Sequence, residues 1–156
     1  MTYVVDTNIV LRIMQPAHDM HHSAVQSVAL LVGQGIKLCI LPQCIYECWV
    51  VCTRPVVAQN GLGLTAAEAQ AEITQIKTHF VLLPDIPTIF PLWEHLVFQH
   101  SVMGKPAHDA RIVAAMKAHS ITQLLTFNKS DFTRYPGISV ETPNEVILAL
   151  NPPPAS

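Results

Sequence analysis

Five short runs rich in strand-forming residues punctuate the chain: TYVVD (2–6), KLCIL (37–41), FVLLP (80–84), QLLTF (123–127) and ISVET (138–142). They are largely continuous apolar runs, without the in-out alternation of a half-exposed strand. Segments with helical spacing lie between them, at 7–14, 19–33, 43–53, 65–79, 87–102 and 107–119, and a short helix at 144–150 follows the last. Apolar strands that alternate with helices form a parallel sheet covered on both faces. The boundaries have local chemistry. Thr65 with Glu68 is a capping box, Gly33 and Gly35 stop one helix, and Pro16 and Pro55 end two others. The pattern therefore predicts a three-layer α/β/α sandwich around a central, mostly parallel sheet of four to five strands. It forms one domain over residues 1–150, and NPPPAS (151–156) is a frayed tail.

Composition limits the partners. Charged residues are 13% of the chain and hydrophobic ones 50%. A surface so poor in charge is often covered in part by another protein. The net charge of -2 argues against a strong non-specific polyanion binder, while leaving room for a local basic patch. No apolar run reaches the roughly 18 to 20 residues of a membrane span, and MTYVVDTN lacks the basic-then-apolar pattern of a secretory leader. The expected location is the cytoplasm. Cys39, Cys44, Cys48 and Cys52 lack zinc spacing, and the last three recur every fourth residue, so they read as buried free thiols. His18, His21 and His22 read as a solvated entry to a helix.

Four carboxylates stand out. LPQCIYECWVVC (41–52) contains one charge, Glu47, in a segment that reads as buried or nearly so. Asp6 ends the first strand, Asp109 opens a helix after Pro106, and Asp131 follows the fourth strand in TFNKSDF. Read singly, each has another explanation. Asp6 could cap the first helix, Asp109 could complement a helix dipole, Asp131 could close an Asx turn, and Glu47 could snorkel or carry a proton. Read together, Asp6 and the Asn128–Asp131 turn fall at the carboxyl ends of parallel strands, where ligands gather in open α/β sheets, and the helices carrying Glu47 and Asp109 begin on that same side. One hypothesis accounts for all four: they converge on a hard divalent cation, Mg²⁺ or Mn²⁺, which suits oxygen ligands.

VVDTNIVLRI, LPQCIYECWVVCTRP, AHDARIVAAM and LLTFNKSDFTRYPGISVETP, taken in order from Asp6 to Pro143, resemble the PIN-domain family, and most closely the VapC ribonuclease toxins of VapBC toxin–antitoxin modules. The resemblance implies a metal-dependent endoribonuclease. Asp6, Glu47 and Asp109 match the family's first three acidic positions. Where members often carry a fourth acid this chain has Asn128, so the resemblance implies a metal site of Asp6, Glu47, Asp109 and either Asn128 or Asp131. Thr7, Asn8 and Thr126 match the residues that orient those carboxylates.

Six of the nine basic residues lie near these motifs: Arg12, Arg54, Lys105, Arg111, Lys129 and Arg134. Arg12, Arg111 and Lys129 are the candidates to meet substrate phosphate, Arg111 foremost. An aspartyl-phosphate enzyme also fits Asp6, but Asn8 stands where such chemistry usually needs a second aspartate. A catalytically inactive PIN-like module that binds RNA or protein is the other alternative, favoured by Asn128. PTIFPLWEHLVF (87–98) offers Phe90, Leu92, Trp93, Leu96 and Phe98 for protein contact. With the resemblance, this gives an expected homodimer and a small antitoxin that masks the acidic cluster with an Arg or Lys.

Overall fold

The computed structural model describes residues 1–155, with only the backbone described at Ala58 and Gln59. Five parallel strands form one sheet: β1 (Thr2–Val5), β2 (Lys37–Ile40), β3 (Val81–Leu82), β4 (Gln123–Leu125) and β5 (Ser139–Glu141), in the order β3-β2-β1-β4-β5. Val4 lies opposite Cys39 of β2 and Leu124 of β4. The helices are α1 (Thr7–Ile13), α2 (His21–Gly33), α3 (Pro42–Thr53), α4 (Val56–Gln59), α5 (Ala66–His79), α6 (Ile89–Gln99), α7 (Pro106–Ala118) and α8 (Pro143–Leu150). A 3-10 turn spans Lys129–Phe132.

Successive residues of the central strands are buried whichever face they point to. Val4, Val5, Cys39, Ile40, Leu124 and Leu125 are all fully enclosed, as strands covered on both sides must be. The third run departs from this expectation. Only two of its residues pair, and Val81 and Leu82 are both exposed, because β3 is an edge strand with nothing beyond it. Connections run β1 to β2 to β3 in one direction and then return past β1 to β4 and β5. Right-handed crossovers then place the outgoing and returning helices on opposite faces. The order reverses between β1 and β4, which opens a crevice at the carboxyl edge of the sheet.

Local signals set most boundaries. Thr65 caps α5 with Glu68, and Thr142 caps α8 with Glu145, each a complete capping box. The second helix starts at His21, two residues later than expected from the spacing, because His18 accepts from the Met20 backbone N–H and holds a turn before it. The four cysteines are free and buried. One short helix was not foreseen. α4 lies in the stretch between the helices expected at 43–53 and 65–79, and ends where Asn60 adopts a left-handed backbone, φ 54°. Of the expected tail, residues 151–155 are exposed and Ser156 lies outside the described residues. Among the described residues no helix is long and apolar enough to cross a membrane.

Candidate active site

β1 ends at Val5, and the next residue, Asp6, is the N-cap of α1. Its side chain is 6% exposed. Asp6 Oδ1 accepts from the Thr7 backbone N–H at 2.7 Å, and Oδ2 accepts from Thr126 Oγ1 at 2.7 Å and Asn8 Nδ2 at 3.2 Å. Thr126 follows β4, so these bonds join the ends of β1 and β4 at the point where strand order reverses. Asn8 completes the junction by accepting from the Phe127 backbone N–H and donating to Thr126 Oγ1.

Glu47 arrives from α3. Its Oε2 accepts from Thr7 Oγ1 at 2.6 Å and its Oε1 from Gln43 Nε2 at 2.9 Å. The segment around it is not buried all round, which corrects the reading of 41–52. Cys44, Cys48 and Cys52 take the core face, while Tyr46, Trp49 and Val50 are exposed and Glu47 is half-buried. The same helix has a second face with a purpose of its own. Gln43, Tyr46, Glu47, Val50, Val51 and Arg54 recur at helical intervals and line one wall of a cavity of about 890 Å³. The opposite wall is Lys105, Pro106, His108, Asp109 and Arg111 from the start of α7, and Asp131 from the 3-10 turn completes it. The walls are tied together by Gln43, whose Nε2 also donates to the His108 carbonyl at 3.0 Å.

Four carboxylates thus meet at the carboxyl edge, and their charges are coupled. Burial pushes the Asp6 carboxyl up to about 6, against the pull of the Thr126 and Thr7 hydrogen bonds; the charges of Asp109 and Glu47 add to the rise. Burial, then Asp131 and Glu47, push Asp109 up to about 6 as well, with His108 and Arg134 partly opposing. None of the four forms an ion pair among the described residues, whose salt bridges are Arg111–Asp85 at 2.9 Å and Lys129–Glu145 at 2.6 Å. Nor, among the described residues, does any group of three His, Cys, Asp and Glu side chains form a ready cage for a metal. The cluster is open, and none of its carboxylates is in a salt bridge among the described residues. Such a donor set fits a hard cation that keeps several waters and takes few protein ligands directly, as Mg²⁺ does. Asp6, Glu47, Asp109 and Asp131 are the residues that could hold it.

The other candidates divide. Asn128 is exposed and is not among the cavity's lining residues. Arg111 lines the cavity, bonding Asp85 and, at 3.4 Å, Gln43 Oε1. Arg12 and Lys129, also expected to meet substrate phosphate, are not among the cavity's lining residues. Arg12 donates to Gln15 in the last turn of α1, and Lys129 is paired with Glu145, because each finds a partner on its own side of the fold. Gln43, Tyr46 and His108 were not singled out from sequence. The signal for the first two was present as the stripe 43, 46, 47, 50, 51, 54, hidden because most of its members are apolar or neutral.

The family model for the PIN domain matches residues 3–138. No curated protein matches the chain in sequence. Among solved structures, similar chains occur in DNA-bound VapBC from Salmonella typhimurium, with a TM-score of 0.67 and 15% identity over 92% of this chain and 98% of that one. VapBC2 from Rickettsia felis, bound to a promoter DNA fragment, gives 0.64 and 16% over 91% and 98%. A toxin–antitoxin complex from Klebsiella pneumoniae gives 0.63 and 20% over 90% and 97%. At these identities the likeness is one of fold.

Proposed function

The chain belongs to the PIN-domain family, and on that premise we propose that it is a Mg²⁺- or Mn²⁺-dependent endoribonuclease, the toxin of a toxin–antitoxin pair. The observation that carries this reading is the group of four carboxylates at the strand-order reversal, none in a salt bridge among the described residues, with two of them pushed up to about 6. A divalent cation bound there would polarise a scissile phosphate and acidify a water. The chain's own residues do the rest. Thr126, Asn8 and the Thr7 backbone fix Asp6, and Thr7 and Gln43 fix both oxygens of Glu47. Lys105, Arg111 and Arg54 line the same cavity and supply positive charge for a phosphate backbone. The inactive-module alternative rested on Asn128. Asp131, on the cavity wall, supports the catalytic reading instead.

The neighbouring structures are toxin–antitoxin complexes, which supports a cognate antitoxin for this chain. It would cover the acidic cluster with an Arg or Lys. Phe90, Phe98 and Met103 are 64%, 78% and 82% exposed, an apolar surface suited to a homodimer or to that partner.

The test is incubation of purified protein with total RNA. Discrete fragments are expected with Mg²⁺ and none with EDTA; no cleavage, or cleavage undiminished by EDTA, would sink the proposal. Gln43→Ala should lower cleavage about 10- to 100-fold, as loss of an orienting partner does in other metal sites. Its melting temperature should change little, since Thr7 still holds Glu47. An unchanged rate would make Gln43 only a brace between α3 and α7.

A further inference from the structure

Arg54 stands at the end of the stripe that begins with Gln43. It caps α3 and lines the cavity shared with Glu47, Asp109 and Asp131, yet no salt bridge or hydrogen bond engages its side chain among the described residues. Its Nε is buried without a partner. A buried polar atom without a partner is uncommon, and the side chain that carries it lines the cavity.

The loop that follows holds this residue in place. The Leu62 and Leu64 backbone N–H groups donate to the Val51 and Cys52 carbonyls, and Gly63 donates to the Arg54 carbonyl at 3.0 Å. Gly61 lies so close that a Cβ there would fall 2.0 Å from the Arg54 carbonyl oxygen and 2.3 Å from its Cγ. Only glycine allows the backbone to press on the root of that side chain. The loop thus restricts the stem, while among the described residues no carboxylate engages the guanidinium. Arg111, across the cavity, is already engaged by Asp85 and Gln43.

We infer that Arg54 seats an RNA phosphate beside the scissile one, and that the exposed Tyr46–Val50 strip beside Glu47 receives a base. The inference rests on the ribonuclease reading above. Glu47 and Arg54 are seven residues apart on α3, about 10 Å along its axis and at nearly the same angular position. Tyr46 is 63% exposed and Val50 55%. A guanidinium fits a phosphate with two parallel hydrogen bonds, and an exposed tyrosine offers a stacking face that accepts any base. An unpaired strand laid along α3 would meet the carboxylates and the apolar strip beside them, and then the cation.

The experiment is binding of a single-stranded RNA oligonucleotide across a salt series, in the Asp109→Asn background so that the RNA stays intact. Arg54→Met keeps the stem against Gly61 and removes the charge. It should weaken binding about 10-fold and lower the slope of log affinity against log salt by about 0.7, the value for one phosphate contact on a single strand. Tyr46→Ala should weaken binding to a similar degree with the slope unchanged, because stacking releases no counterion. Arg54→Lys should keep the slope; Arg54→Gln removes the same charge, should lower the slope by a similar amount, and reads the same contact if the methionine variant does not fold. A parent that binds RNA while the Met variant retains its slope overturns this inference alone, and would leave Arg54 to an acidic protein partner. A wild-type chain that neither binds nor cuts RNA overturns the ribonuclease proposal and this inference with it.

Discussion

Asp109→Asn is expected to abolish Mg²⁺-dependent RNA cleavage, by about 100-fold or more, while the fold stays intact. Asp109 sits in the first turn of α7, half-buried on the cavity wall, and serves no salt bridge among the described residues. Its charge is opposed by burial and by Asp131 and Glu47. Removing that charge takes away a share of the negative potential that would bind the cation, and a metal contributes several kcal/mol to charge stabilisation in such reactions. Repulsion within the cluster falls at the same time. The metal-free variant should therefore melt no lower than the parent near neutral pH. Cleavage assays with matched melting curves check both halves. A variant that cuts RNA at the parental rate removes Asp109 from the site; one that unfolds makes it structural.

The second large effect is on stability, and it runs opposite to the usual carboxylate. Asp6 titrates at about 6 in the folded chain against an ordinary value of 3.8, and Asp109 is raised in the same way. The folded state therefore holds protons that the unfolded chain has already released between about pH 4 and pH 6. The associated stability is fully present below the ordinary value and is lost as pH rises through about 6. For buried Asp6 a shift of about two units corresponds to roughly 2–3 kcal/mol. Asp109 is too exposed for a similar conversion. About half of that is still present at pH 5, so metal-free protein should melt roughly 3–6 °C higher at pH 5 than at pH 7.5. Added Mg²⁺ should recover much of the difference at pH 7.5, by binding the folded state alone. Glu68 and Glu145 act in the opposite sense, held below the ordinary carboxylate range by bonds from Thr65 and from Lys129 respectively. Their contribution is lost only at more acid pH. Thermal unfolding in EDTA across this range is the check, and a flat profile, or a maximum at pH 7.5, would mean that burial and the neighbouring carboxylates do not raise Asp6 and Asp109.

Much of this arrangement was legible before any coordinates. Asp6, Glu47, Asp109 and Asp131 stood out because a carboxylate in an apolar helix or at the end of an apolar strand needs a reason, and one reason served all four. The capping box at Thr65 and Glu68 was equally local. Harder to read was which neutral residues support them. Gln43 looks like filler in an apolar run, and its role comes from lying four residues before Glu47 and beside the His108 carbonyl of α7. That second contact crosses 65 positions of sequence and has no local signature.

The sequence by itself determined the strands, the helices, the parallel class of the sheet and the positions of its unusual charges, because hydrophobic periodicity and capping act within a few residues. Tertiary structure decided the rest. It left β3 exposed at an edge although its residues are as apolar as those of β2. It gave Arg12 and Lys129 partners away from the cavity and brought Arg54 to its wall. It also turned the outer face of α3 into a cavity wall, because an apolar helix with two faces does not say which one the core will take. These outcomes depend on which elements become neighbours once the chain has crossed over itself, and a carboxylate or guanidinium acquires its environment only then.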